Sequence, residues 1–156
     1  MYYLAKLIRK ALLKLPLGVS LFLAGAIGLF FYLNDRKRKV AFRNIKAAFP
    51  DKTNRQVHLI LRKSFNNFGL TIIEQLIVPR IYKNVTVKEK TDKYPGGGIF
   101  VGIHAGNWAL SVAYWAQRHK LAIYAQQQKH RGLDEFLNEL RREEKIKVCF
   151  TLKELI

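Results

Sequence analysis

The chain has 156 residues, which is enough for one domain with a substantial core but not comfortably for two. It carries 28 Lys and Arg against 11 Asp and Glu, a net charge of +17, and 49% of its residues are hydrophobic, which excludes a disordered basic tail. Its one cysteine, Cys149, excludes a disulfide framework and a four-cysteine zinc site. Such a charge predicts a polyanionic partner, either an anionic membrane or a nucleic acid.

The first residues predict an amphipathic helix. Apolar side chains recur at helical spacing from Leu4 to Leu15, while Lys6, Arg9 and Lys10 lie off that face. A basic amphipathic helix of this kind can rest among lipid headgroups. The alternative is an ordinary surface helix.

An apolar segment follows, and positive charge surrounds it. Residues 1–63 hold 14 Lys and Arg and two acids, a net +12, whereas the remaining residues carry +5. Residues 15–33 are 19 residues without a charged side chain, and as a helix they would extend roughly 28 Å, close to the thickness of a hydrocarbon core. We predict a membrane-inserted helix, with a cleaved secretory signal and a buried core helix as alternatives. The larger basic block follows the segment, which predicts that the rest of the chain lies in the cytoplasm.

Two helices are predicted next. Residues 35–49 form a short basic helix that Pro50 ends. Thr53 and Gln56 have the spacing of a capping box, which opens a long helix, and Pro79 is expected to end it.

Beyond residue 84 the pattern changes to short apolar runs separated by helical patterns. Residues 85–87 alternate like an edge strand, and three runs predict buried strands, at residues 99–103, 121–125 and 146–150. Strands that alternate with helices predict a parallel sheet. The expected fold class is therefore α/β, with a membrane helix and a helical segment ahead of a βαβαβ portion. The expected segments are an amphipathic and membrane helix, a basic helical segment and the α/β portion, at residues 1–34, 35–83 and 84–156.

His104 is the residue that says most about function. It follows the first predicted buried strand, at the end where α/β sheets bind their ligands. A predicted helix begins a few residues later, and its N-terminal N–H groups would favour negative charge there. A neutral imidazole at this position can act as a general base, and Gly106 would allow a ligand to approach the backbone. The alternative is a histidine that only closes the turn by hydrogen bonding.

The segment around His104 also resembles a known family. GIHAGNWAL, residues 102–110, resembles the His-x4-acid block of glycerolipid-type acyltransferases and is closest to the HxGNWE form of the bacterial lipid A late acyltransferases, the lauroyl and myristoyl transferases. RNIKAAFP at residues 43–50 and LPLG at residues 15–18 resemble two further blocks of that family, in the same order, and LDEFLNELRRE at residues 133–143 is a weaker match. The resemblance covers nearly the whole chain but only the N-terminal part of the family domain, so we expect an incomplete α/β portion.

The resemblance implies a reaction and a set of site residues. A hydroxyl of a membrane lipid, a lipid A precursor or a related glycolipid or lysolipid, would attack an acyl thioester on acyl carrier protein. His104 would be the general base, and Gly106, Asn107 and Trp108 match the block that binds substrate. No cofactor and no metal are implied.

The acid of that block should fall at position 109, which is Ala109 in this chain. An alanine cannot accept a hydrogen bond from the imidazole. Glu74, the one carboxylate within the apolar stretch of residues 70–78, is a candidate substitute, and the alternative for it is a surface glutamate.

Two functional hypotheses follow. The first is a membrane-associated acyltransferase at the cytoplasmic face of the bacterial inner membrane, with acyl carrier protein, a lipid acceptor and an anionic membrane surface as partners. The second is a truncated or degenerate relative that binds membranes without turnover. A nucleic-acid partner is not expected, because the chain has no recognisable DNA- or RNA-binding motif and such a partner would not explain the apolar segment.

Overall fold

A computed structural model describes residues 1–82, 86–88, 97–103 and 106–154. Within them the elements, in chain order, are α1 (Tyr2–Lys14), α2 (Leu17–Leu33), α3 (Asp35–Ala48), α4 (Asn54–Leu76), α5 (Val78–Ile81), α6 (Trp108–Ala116), β1 (Leu121–Tyr124), α7 (Arg131–Glu143), β2 (Ile146–Cys149) and a 3₁₀ turn (Leu152–Glu154). Contacts group the chain into two compact units, here called the helical unit (Lys14–Leu76) and the α/β unit (Met1–Leu13 with Ile77–Ile156). The three segments expected from the sequence stay a prediction.

The helical unit is built on a close approach of α2 to α4. On α2 the buried residues are Ser20, Ala24 and Gly28, which follow one another at intervals of four. The buried residues of α4 also lie at multiples of four and form one row: Val57, Leu61, Gly69 and Ile73. A Cβ added at Gly69 would lie 2.2 Å from the backbone oxygen of Ala24, and one added at Gly28 would lie 2.7 Å from the Cα of Asn66. The two backbones therefore meet at a distance that only glycine permits.

The apolar segment of residues 15–33 is not one continuous helix. Pro16 is the N-cap of α2, so the helix begins at Leu17 and α1 ends at Lys14. Among the residues that the structure describes, no single helix is both long and apolar enough to qualify as a membrane span. The helices Leu17–Leu33 and Arg36–Ala48 together meet the length and composition of a membrane span, but as a pair with a bend of 86° between them.

The predicted boundaries of α3 and α4 are confirmed, with one exception. Thr53 and Gln56 form a reciprocal capping box, because the Thr53 N–H donates to the Gln56 Oε1 at 2.9 Å and the Gln56 N–H donates to the Thr53 Oγ1 at 3.3 Å. α3 ends at Ala48, just before Pro50. Pro79, however, does not end α4, which stops at Leu76. It lies in the first turn of α5, where its missing N–H breaks no helical hydrogen bond.

The α/β unit contains the predicted βαβ connection. β1 and β2 pair in parallel, with Leu121 opposite Ile146 and Tyr124 opposite Cys149, and α7 runs between them in the chain. Side chains of α7 and β2 supply much of the core of the unit: Phe136, Leu140, Ile146 and Cys149. β1 is not the fully buried strand that its sequence predicts, since Tyr124 is 62% exposed and burial alternates along it.

The strand predicted at residues 99–103 is wrong for this structure. Residues 97–103 have no regular secondary structure, and Ile99, Val101 and Ile103 are 95%, 93% and 84% exposed. Residues 86–88 also form no strand, and residue 85 lies outside the described part of the chain. The sheet of the described residues therefore has two strands instead of three. An apolar run becomes a strand only where a neighbouring strand pairs with it, and composition alone does not supply that neighbour.

α1 is held against α7 through its polar face. The Lys6 Nζ lies 2.7 Å from the Glu139 Oε1, and the Arg9 Nη2 lies 2.6 Å from the Glu143 Oε2. The hydroxyl of Tyr2 donates a hydrogen bond of 2.5 Å to the second carboxylate oxygen of Glu139. Lys6 and Arg9, two of the basic residues of the predicted amphipathic helix, are therefore engaged within the α/β unit.

Most of the apolar face of α1 is consequently exposed on the surface. Leu4 is 59% exposed, Leu7 65% and Ile8 47%, whereas Leu12 is buried. An ordinary surface helix buries its apolar stripe and exposes its charges. The helix itself is confirmed, but α1 presents the opposite arrangement over most of its length.

We expect the attachment of α1 to weaken in acid. Hydrogen bonds from Lys6 and Tyr2 hold the pKa of Glu139 below its usual value of 4.5, and the hydrogen bond to Glu139 raises the pKa of Lys6. A lowered carboxyl pKa contributes stability above the usual value, which is lost as the pH falls through the folded pKa. At neutral pH, Glu139→Gln should therefore speed the hydrogen exchange of the backbone amides of α1 relative to wild type. The rates are normalised for the intrinsic exchange rate at each pH. The difference from wild type should vanish in acid.

Glu135→Gln is the matched control, because Glu135 is exposed on the same helix and no described residue forms an ion pair with it. It should leave the exchange of α1 unchanged. Equal exchange in wild type and Glu139→Gln at neutral pH would contradict the attachment.

Candidate functional site

The described part of the candidate site is the turn that enters α6. Gly106 has a φ of +71°, in the left-handed region that side chains with a Cβ rarely adopt. Asn107 is the N-cap of α6, and its Oδ1 accepts a hydrogen bond of 3.1 Å from the Ala109 N–H. Asparagine at this position satisfies an N–H that the helix itself leaves unpaired. Gly106 and Asn107 thus have a clear local role in shaping the turn.

His104, the predicted general base, lies outside the described residues. What the structure describes on either side are residues 97–103 and the turn from Gly106 onward. The helix predicted to follow it is confirmed as α6, so the turn does lead into a helix N-terminus. The buried strand predicted to precede it is not observed. The role of His104 therefore stays a prediction.

Ala109 occupies the second position of α6, directly after Trp108. Its N–H is used by the Asn107 cap, and its methyl group offers no hydrogen-bond acceptor. The first turn of α6 contains no acidic residue. Since the positive end of a helix dipole favours a carboxylate in the first turn, the backbone here is suited to the acid that the chain lacks.

Trp108 and Glu74 are the other two predicted site residues. Trp108 opens α6 and is half-buried. Glu74 lies in α4, in the helical unit, where it is half-buried and takes part in an interaction of its own. The substitute role suggested for Glu74, and the substrate contact suggested for Trp108, stay predictions.

Arg118 is a candidate that the sequence reasoning missed. Its guanidinium carbon lies 3.7 Å from the centre of the Tyr114 ring, and its Nη1 donates a hydrogen bond of 2.8 Å to the hydroxyl of Tyr82. Together with Val87 and Leu110, these three residues line a cleft of about 280 Å³. Leu110 directly follows Ala109, so the cleft begins one residue from the position of the motif acid. The spacing of four between Tyr114 and Arg118 was the signal in the sequence, because it brings side chains together on a helical path, although α6 itself ends at Ala116.

No three His, Cys, Asp or Glu side chains of the described residues lie together in a group that could hold a metal ion. The described turn itself presents a helix N-terminus: N–H groups and a positive partial charge near the residues that precede it.

Comparison with known proteins gives one informative result. The family model for bacterial lipid A biosynthesis acyltransferases matches residues 1–154. No curated protein and no solved structure gives a significant match. The matched range includes the α6 turn and the apolar helix α2, and it confirms the resemblance carried by residues 102–110. This chain belongs to the bacterial lipid A biosynthesis acyltransferase family.

Proposed function

We propose that this chain transfers a fatty acyl group from an acyl carrier protein thioester to a hydroxyl of a lipid, a lipid A precursor or a related glycolipid or lysolipid. The observation that carries the proposal is the family match over residues 1–154, which includes the His104 block. The basic character of the chain, +17 overall, also suits an acidic carrier protein and an anionic lipid.

The reaction needs a general base and a group that stabilises the negative charge of the oxyanion. The His104 imidazole takes the proton of the lipid hydroxyl, and the oxygen attacks the carbonyl carbon of the thioester. As the tetrahedral intermediate collapses, the carbon–sulfur bond breaks, and the departing thiolate of the carrier recovers the proton from the imidazolium. The N–H groups in the first turn of α6 favour negative charge near the turn, which supports stabilisation of the oxyanion there.

We propose that the protein is located at the cytoplasmic face of the bacterial inner membrane. Two exposed apolar surfaces support membrane association. One is the outer face of α1, with Leu4 and Leu7, and the other is α2, where Phe22 is 76% and Phe30 is 70% exposed. Exposed apolar surface of this kind, together with many Lys and Arg residues, is typical of proteins that bind anionic lipid surfaces.

A second candidate function is favoured by Ala109. A family member without the motif acid would bind lipid and carrier but turn over slowly or not at all. In the serine protease triad, replacement of the orienting carboxylate lowers turnover by about 10⁴. The two candidates differ in one measurable quantity, the rate of acyl transfer.

Consumption of acyl carrier protein thioester in the presence of a lipid acceptor tests the proposed reaction. We expect His104→Ala to lower the rate by at least about 10²-fold, because it removes the general base. His58→Ala, a substitution of an exposed histidine on α4, is the control and should leave the rate unchanged. Equal rates for wild type and His104→Ala, both above the uncatalysed background, would refute the role of His104.

A further inference from the structure

The helical unit contains a cleft between α2 and α4 with a volume of about 530 Å³. On the α2 side it is lined by Gly25 and Gly28, which have no side chains to fill it, and by the more exposed Leu29 and Tyr32. A Cβ added at Gly25 would make only an ordinary contact of 3.6 Å with the Oδ1 of Asn66, so the cleft opens immediately beyond the tight crossing of the two helices.

The α4 side of the cleft is polar and positively charged. It presents the side chains of Arg62, Lys63, Asn66 and Asn67, beside the apolar side chain of Leu59. Within the described residues, the side chains of Arg62, Lys63 and Asn66 have no hydrogen-bond or ion-pair partner, in contrast to Lys6 and Arg9 of α1. A guanidinium, an ammonium and two amides, all able to donate, suit the several oxygens of a phosphate group.

The charge of the surrounding unit points to the same ligand chemistry. Lys14–Leu76 contains eleven Lys and Arg against three acids, a net +8. An anion approaching the cleft is therefore attracted by the whole unit before it meets Arg62 and Lys63, the two cations that line the cleft.

Exposed apolar side chains of α2 extend from the cleft along one face of the helix. Phe22, Leu29 and Leu33 share a helical face with Gly25, at intervals of three and four residues, and they are 76%, 48% and 62% exposed. The positively charged α4 side of the cleft and the exposed apolar face of α2 together match an amphiphile with a phosphate headgroup and hydrocarbon chains.

We propose that the cleft between α2 and α4 binds the phosphate headgroup of a lipid, with Arg62 and Lys63 on its oxygens and the acyl chains along the exposed face of α2. This assignment goes beyond the acyl transfer proposed above and does not depend on His104 or Ala109. Lipid binding is measurable whether or not the chain turns over, so the two proposals fail separately.

Binding of the full chain to phosphatidylcholine vesicles that contain phosphatidic acid tests the proposal. Arg62→Gln/Lys63→Gln should weaken binding at least about tenfold more than Arg43→Gln/Arg55→Gln, because only the first pair removes charge-assisted hydrogen bonds to phosphate. The second pair removes the same net charge from the same unit at exposed positions that do not line the cleft. Equal losses for the two double variants would overturn the proposal in favour of general electrostatic attraction.

A second pair of variants tests the cleft itself without changing charge. Gly25→Leu fills the cleft and should weaken binding about tenfold, whereas Gly25→Ala adds only the ordinary 3.6 Å contact and should bind like wild type. Circular dichroism and thermal unfolding show whether each variant is folded. If Gly25→Leu does not fold, the comparison of the charge variants decides the question, since Arg62 and Lys63 are exposed. A folded Gly25→Leu that binds like wild type would overturn the proposal.

Two further ligands distinguish the source and the chemistry of the anion. Vesicles with the same surface charge from cholesterol hemisuccinate, a carboxylate, should bind more weakly than those with phosphatidic acid. Inorganic phosphate at constant ionic strength should displace the chain from vesicles less effectively than soluble short-chain phosphatidic acid, because it makes no contact with α2. Equal binding to the carboxylate vesicles, or equal displacement by inorganic phosphate, would overturn the lipid phosphate assignment.

Discussion

Ala109→Glu is expected to raise acyl transfer by roughly 10²- to 10⁴-fold over the wild-type chain. The glutamate would restore the acid of the His-x4-acid block that the chain resembles. A carboxylate beside the imidazole orients it and stabilises the imidazolium that forms when it takes the hydroxyl proton. Since the side chain of Ala109 has no acceptor atom, no carboxylate at that position does this in the present chain.

The structure favours this variant, because position 109 suits an acid. Ala109 is the second residue of α6, and a carboxylate in the first turn interacts favourably with the helix dipole. The cap that orders the turn uses the Asn107 Oδ1 and the N–H of residue 109, and a change of side chain leaves both in place. The variant should therefore fold at least as well as wild type.

Ala109→Gln is the matched control, since it has the same length without the charge and should recover much less activity. The double variant His104→Ala/Ala109→Glu should lose the gain. Turnover of acyl carrier protein thioester measures all three. A rate for Ala109→Glu no higher than wild type would show that the missing acid does not limit the reaction.

The second large effect concerns the stability of the helical unit. Gly69→Ala should destabilise the chain by about 1–3 kcal/mol or more, because the new Cβ would lie 2.2 Å from the backbone oxygen of Ala24 and 2.7 Å from the backbone nitrogen of Gly28. Both neighbours are backbone atoms, which cannot rotate away as a side chain can. The two helices must move apart, and the packing around Val57 and Leu61 loosens with them.

Gly18→Ala is the control for this prediction. Gly18 is also in α2, but no atom lies within 4 Å of the Cβ that alanine would add there. The greater helix propensity of alanine should make that variant equal to wild type or slightly more stable, by up to about 1 kcal/mol. Thermal unfolding followed by circular dichroism compares the two. A Gly69→Ala chain as stable as Gly18→Ala would contradict the close approach of α2 and α4.

The sequence was a good guide wherever a local rule determines the structure. Periodicity predicted α1, α3, α4 and α7, and the Thr53–Gln56 capping box was found in full. Each depends on residues within a few positions of one another, so no knowledge of the rest of the fold is needed. Parallel pairing of β1 with β2 also followed, because a helix between two strands leaves few other connections.

The sequence was a poor guide wherever a distant partner decides. The sequence pattern of α2 did not indicate that Gly28 allows α4 to approach, as it does in the structure. The amphipathic pattern of α1 did not show which face would be attached, and the carboxylates of α7 engage the polar one. The run at residues 99–103 was predicted as a strand, and the partner that a strand requires is not found among the described residues.

In the candidate site, too, the features set by neighbouring residues were predictable and those set by distant residues were not. The helix after the His104 block was predicted from spacing, and the cap supplied by Asn107 was visible in the sequence as an asparagine just before a helical run. That signal was assigned to substrate binding instead. Arg118 was missed because its importance depends on Tyr82, which is 36 residues away in the chain.

The acceptor lipid itself provides the most direct test of acyl transfer by this chain. Mass spectrometry of a lipid A precursor, after incubation with acyl carrier protein thioester and the Ala109→Glu chain, should show a product heavier by one acyl group, with matching loss of thioester. The same product should form more slowly with wild type and be absent with His104→Ala/Ala109→Glu. An acceptor of unchanged mass, with the thioester intact in the presence of folded Ala109→Glu chain, would contradict the proposed activity.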